Sequence, residues 1–191
     1  MIHETSVISK KASIDPSSFI GPFCTIGDNV KIGKNNKLIS HVSITGNTNI
    51  GNENVFYPFC SIGSEPQDLK FKGEKSFLII GNKNIFRENV TVNPGTIGGG
   101  LKTTINNNCL FMVGSHIAHD CLIESNVILA NNATLAGHVQ VHENAILGGN
   151  SAVHQYVKIG KYAMIGGMSG VEKNIIPYGL YTGIRSDLKG I

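Results

Sequence analysis

The sequence predicts an all-β fold, a parallel solenoid built from three short strands per coil. Large aliphatic residues recur every six positions over most of the chain, which is the signature of a repeat architecture. A period of six fits neither the 3.6 of an amphipathic helix nor the two of a hairpin strand. The composition agrees: 23 glycines and no tryptophan suit many tight turns better than packed helices.

The first run of the repeat steps through Ile8, Ile14, Ile20, Ile26, Ile32, Leu38, Ile44, Ile50, Phe56 and Ile62. Two positions earlier stands a small or β-branched residue such as Ser18, Cys24, Val30 or Val42. Each hexad therefore supplies one flat strand, its aliphatic residue pointing to the axis and its small residue sharing the interior near a corner. Coils stack by backbone hydrogen bonds at roughly 4.8 Å, so each aliphatic column becomes a continuous core. Ile80, Phe86 and Val92 keep this phase, but residues 64–77 hold Pro66, Asp68, Glu74 and several lysines and are predicted to loop out. A second excursion, Thr96 to Leu101, shifts the phase by one residue. The second run is then unbroken through Ile105, Phe111, Ile117, Ile123 and Leu129 to Ile165 and Val171.

Pro177 marks the predicted exit from the solenoid, so residues 1–176 form one domain and 177–191 a short exit segment. A chain of 191 residues, 41% apolar and 15% charged, has the balance of one soluble globular domain. No basic region followed by an apolar run stands at the N-terminus, and no apolar run reaches the length of a bilayer. The expected location is therefore cytoplasmic. The four cysteines form no CxxC pair and are expected to be free thiols. Cys24 and Cys60 occupy equivalent positions two coils apart, roughly 9–10 Å, beyond disulfide reach. The net charge of +3 gives no reason to expect nucleic acid, and no P-loop or GxSxG elbow is present.

The candidate chemistry lies in Ser115-His116-Ile117-Ala118-His119-Asp120-Cys121. A histidine near its ordinary pKa takes a proton from a hydroxyl, and an adjacent carboxylate fixes its tautomer or stabilises its charged form. On a regular strand Asp120 would face away from His119, so the pair works only if the backbone turns between them. His119 and His138 are one coil plus one residue apart and should be neighbours on adjacent coils. Clustered histidines leave a second reading open, a metal held by His116, His119 and His138.

With these residues in hand the chain resembles the acyl-ACP:UDP-N-acetylglucosamine O-acyltransferases of lipid A biosynthesis. The likeness rests on Ile20-Gly-Pro-Phe-Cys24, Gln67-Asp-Leu-Lys70, His116-Ile-Ala-His-Asp-Cys121, Leu129-Ala-Asn-Asn-Ala-Thr-Leu-Ala-Gly-His-Val139 and Ala152-Val-His-Gln155, with flanking matches over essentially the whole chain. The resemblance implies a left-handed parallel β-helix, whereas the general rule for parallel crossovers favours the right-handed form. It implies transfer of a (R)-3-hydroxyacyl chain from acyl carrier protein to the sugar 3-hydroxyl, in bacterial cytoplasm, by a homotrimer that uses no metal or other cofactor. His119 is then the general base, Asp120 its support and the Gly137 N–H the oxyanion donor. His116, His138, His154 and Gln155 would line the substrate cleft. Gln67, Asp68 and Lys70 would reach a neighbouring subunit's site, and Gly167 would leave room for a longer acyl chain. Lys158, Lys161, Lys173 and Arg185 would face the acidic carrier protein.

The chain also departs from the family. On this resemblance the sequence, which ends at Gly190-Ile191, is expected to lack the family's helical C-terminal part, and it carries Gly183-Ile184 and Gly114-Ser115 where the family has Gly-Asn and Asn-Ala. Three other readings follow from these residues: a sugar-nucleotide N-acyltransferase, a metal-dependent enzyme of the carbonic anhydrase type on the same kind of solenoid, and a non-catalytic solenoid.

Overall fold

The computed structural model describes residues 1–184 and 187–190. Among them, strands of two to four residues lie in three parallel sheets of nine, eight and ten strands. The first sheet runs from Val7–Ile8 to Gly170–Val171 and the second from Ser13–Ile14 to Lys158–Ile159. The third runs from Phe19–Ile20 to Leu180–Thr182 and ends in the antiparallel strand Asp187–Gly190. Register follows the repeat: Ile8, Ile26, Ile44 and Ile62 are stacked partners one coil apart, and the column continues through Val92 and Ile117 to Val171.

Each two-residue strand turns one side chain out and one in, as Lys37–Leu38 and Lys31–Ile32 do. The inward residues make a single apolar core along the whole solenoid. Phe56, Phe86 and Phe111 are wholly buried and stack at centroid distances of 4.7 and 4.8 Å. At one corner the interior is polar but satisfied. Asn36 Oδ1 accepts the Asn54 N–H at 2.9 Å, Asn54 Oδ1 accepts that of Asn84 at 2.9 Å, and Asn84 Oδ1 that of Cys109 at 2.9 Å. All four cysteines are free and buried, with Val42 standing between Cys24 and Cys60 in their column. Burial pushes the Cys60 and Cys121 thiols up to about 12, which keeps them protonated and inert.

Both excursions leave from the corner between the first and second sheets. Residues 63–76 connect Ser61–Ile62 to Phe77–Ile80, and residues 93–101 connect Thr91–Val92 to Lys102–Ile105. Phe77, expected in the loop, instead opens the strand. The second excursion contains a 3₁₀ turn, Ile97–Gly99. The exit also differs from expectation. Pro177 does not end the pairing, because Leu180 and Tyr181 add one more parallel rung on Met164 and Ile165. Proline is tolerated there because it sits in the turn before that rung, where no ladder N–H is needed.

Candidate active site

The same corner, on the coils next to the excursions, carries the predicted histidines. Its turns fall at His119-Asp120, Gly137-His138 and Gln155-Tyr156, each eighteen residues after the last. Asp120, His138 and Tyr156 take the left-handed conformation, with φ of 60°, 64° and 64°. This is the backbone turn the His-Asp pair requires: it swings the Asp120 carboxylate to the side of His119, and Nδ1 of His119 lies 2.8 Å from Asp120 Oδ2. A carboxylate only accepts, so Nδ1 carries the proton and Nε2 is left as the basic nitrogen.

Both members are enclosed. The Asp120 side chain is 1% exposed and that of His119 9%. Thr96 donates its N–H to Asp120 Oδ1 at 2.8 Å and its hydroxyl to Oδ2 at 2.6 Å. The His138 ring meets His119 edge-on, with centroids 5.0 Å apart, and stacks on Tyr156 at 4.3 Å. Burial holds the His138 imidazole below its ordinary pKa, while Asp120 at 3.8 Å pulls the other way. Gly137 is a glycine for a local reason: a Cβ there would lie 2.4 Å from Cε1 of His119. Among the described residues no carbonyl takes the Gly137 N–H.

These groups border a cleft of about 280 Å³, walled by His119, His138, Gln155 and Tyr156 and by Asp68, Lys70, Glu74 and Thr96 from the two excursions. Asp68 and Lys70 line this cleft within the chain, because their excursion springs from the same corner. Gln67 is exposed on that excursion and is not among the lining residues. His116 points outward from the first sheet, its Nδ1 2.7 Å from Thr91 Oγ1, and burial lowers its pKa. His154 belongs to an adjoining depression with Thr134, Ala136, Ala152 and Gly170. Gly167 lies at the corner between the third and first sheets, away from His119, against the Gly149 carbonyl. A roomier hollow of about 360 Å³ elsewhere holds the half-exposed pair His142–Glu124, separated by 3.1 Å.

His116 does not join His119 and His138 in a three-ligand cluster among the described residues. Among the described residues, donor atoms of His119, Asp120 and His138 do lie within 4.8 Å of one another. Both Asp120 oxygens also accept hydrogen bonds, Oδ1 from the Thr96 N–H and Oδ2 from the Thr96 hydroxyl and His119 Nδ1. Tyr156 could have been found by stepping eighteen from His138. Thr96 could not, because the excursion breaks the count.

Comparison with known proteins places the chain first in a broad class. Residues 102–137 match the family model described as bacterial transferase hexapeptide (six repeats). A relative from Thermodesulfovibrio yellowstonii, acyl-[acyl-carrier-protein]–UDP-N-acetylglucosamine O-acyltransferase, is 53% identical over 190 residues, covering 100% of this chain and 74% of that protein. The crystal structure of UDP-N-acetylglucosamine O-acyltransferase from Moraxella catarrhalis superposes with a TM-score of 0.97 at 42% identity, over 100% of this chain and 74% of that one. The Arabidopsis UDP-N-acetylglucosamine acyltransferase gives 0.87 at 35%, again over 100% and 74%. The solenoid is therefore the left-handed parallel β-helix of the hexapeptide-repeat transferases. The chain belongs to the acyl-[acyl-carrier-protein]–UDP-N-acetylglucosamine O-acyltransferase family.

Proposed function

We propose that the corner cleft transfers a (R)-3-hydroxyacyl chain from the thioester of acyl carrier protein to the 3-hydroxyl of UDP-N-acetylglucosamine, the first step of lipid A biosynthesis. The observation that carries this reading is the His119 ring, held through Nδ1 by Asp120, with its basic Nε2 beside the backbone of Gly137. Nε2 takes the proton of the sugar hydroxyl as its oxygen attacks the thioester carbonyl carbon. The negative charge that develops on the carbonyl oxygen meets the Gly137 N–H. Collapse of the tetrahedral intermediate breaks the carbon–sulfur bond, and the departing thiolate recovers the proton from His119. Asp120 keeps the imidazole in one tautomer throughout and stabilises its charged form.

His138, Gln155, Asp68 and Lys70 hold the nucleotide sugar in the cleft, with Gln67, His116 and His154 at its margins. Gly167 serves the acyl chain. Gly167 is remote from His119 within one chain, which favours a site completed between copies. The outward column of the third sheet supports this: Val55, Ile85, Leu110, Ile128, Ile146 and Met164 make an apolar stripe on a surface strand. The corresponding column of the first sheet is small apart from His116, with Ser43, Ser61, Thr91, Thr134, Ala152 and Gly170. Large side chains on one face and small ones on the other suit a heterologous contact that closes as a homotrimer. Lys158, Lys161 and Lys173 are exposed and suit an acidic carrier protein; Arg185 lies outside the described residues. No described helix is long and apolar enough to cross a membrane, and a cytoplasmic site of action fits these substrates.

The test is acyl transfer from 3-hydroxyacyl carrier protein to UDP-N-acetylglucosamine, native chain against His119→Ala. A loss of about 10²–10⁴ in rate with the oligomer intact is expected. Equal turnover without His119 would end the mechanism, and turnover only with an amino-sugar acceptor would replace the hydroxyl by an amine.

A further inference from the structure

The second excursion does more than wall the cleft. Thr96 opens its 3₁₀ turn, at the position where a threonine ordinarily caps the turn with its hydroxyl. Here the hydroxyl makes no such bond. It is 2.6 Å from Asp120 Oδ2, in the range of a charge-assisted hydrogen bond, and the residue is 3% exposed. The Thr96 N–H takes the other oxygen, Oδ1, at 2.8 Å. Asp120 is gripped from its backbone as well, its N–H donating to Thr103 Oγ1 at 2.8 Å on the strand that ends the excursion.

The rest of the excursion is shaped around that grip. The Thr96 carbonyl accepts the Gly99 N–H at 3.1 Å and the Leu101 N–H at 2.8 Å, which closes the loop on itself. Gly99 lies so near the carboxylate that a Cβ would sit 2.0 Å from Asp120 Cγ. Glu74, on the first excursion, accepts the Ile97 N–H at 3.0 Å and ties the two excursions together. Asp120 Oδ2 has two donors, the Thr96 hydroxyl and His119 Nδ1, so the hydroxyl helps decide where the imidazole proton is held.

We propose that Thr96 is a positioning residue for the His119–Asp120 pair, its hydroxyl and N–H together locking the carboxylate in the orientation that keeps His119 in the Nδ1–H tautomer. The proposal rests on the acyl-transfer reading for its kinetic consequence only; the positioning itself belongs to the free protein. The charged and titratable groups around the pair are His116, Cys121, His138, Tyr156, Asp68, Lys70 and Glu74.

Thr96→Val keeps the shape and removes the hydroxyl, while Thr96→Ser restores it. The expected kinetic result is a fall of about 10–100-fold in kcat for Thr96→Val, the scale of lost support to a functional group, with KM for the nucleotide sugar little changed. Thr96→Ser should recover most of the rate. The second readout needs no turnover: ¹⁵N spectra of histidine-labelled protein, with His119 assigned by its loss in His119→Gln. Neutral His119 should be a single Nδ1–H form in the native chain and a mixture of tautomers in Thr96→Val. An unchanged tautomer in folded Thr96→Val overturns the proposal, as does a Thr96→Ser spectrum that matches Thr96→Val. A native chain that shows the single tautomer yet transfers no acyl group would refute the assigned reaction and leave the positioning role standing.

Discussion

Replacing Gly137 by alanine separates two roles that the mechanism assigns to one residue. Alanine keeps the N–H offered to the oxyanion and adds a single methyl group. Gly137 is not at positive φ, so the backbone accepts alanine without strain. The methyl carbon would stand 2.4 Å from Cε1 and 2.6 Å from Nε2 of His119, against 3.4 Å for ordinary contact, so the ring must retreat by about 1 Å. It cannot do so freely, because Nδ1 is bonded to Asp120 at 2.8 Å and the residue is 7% exposed. A misplacement of about 1 Å at a reacting group costs about 10²-fold in rate, equivalent to about 2.7 kcal/mol in the barrier. Overpacking itself should lower stability by about 1–3 kcal/mol. The assay is single-turnover acyl transfer beside thermal unfolding. A large fall in kcat in a protein that still folds is expected. Native kcat in Gly137→Ala would refute the claim that the imidazole must lie against this backbone.

His116 makes stability pH-dependent. Burial depresses its folded pKa below the ordinary 6.5, so the unfolded chain binds more protons in the window below that value. Stability is then full above about pH 6.5 and falls as pH drops toward the folded pKa; His116→Gln should flatten this part of the acid limb in chemical denaturation, and an unchanged slope would exclude the assignment. In the asparagine ladder, Asn54→Ala orphans the buried Asn84 N–H, which should cost about 1–3 kcal/mol in urea unfolding, whereas a silent substitution would mean the ladder is dispensable.

Much of this was legible in the sequence because a strict period leaves few alternatives. Every column of the core follows from counting six, and the reduced state of Cys24 and Cys60 from counting thirty-six. The proximity of His119 and His138 follows from counting eighteen and adding one. Counting fails wherever the chain leaves the repeat. Nothing in the spacing says that both excursions depart from one corner, so the contacts of Asp68, Lys70, Glu74 and Thr96 emerged only in three dimensions. Nor does it say that the chain returns after Pro177 for another rung. Hexad periodicity specifies which residues face inward, but a loop's path is set by the few hydrogen bonds it finds on arrival. Here those include the bonds of Thr96 to Asp120, of Ile97 to Glu74 and of Asn93 to the Ser64 and Glu65 carbonyls. The same limit applies to His119 itself. Its pairing with Asp120 depends on one left-handed residue at φ 60°, a local twist that alternation along a strand would have forbidden and that tertiary packing of the corner made obligatory.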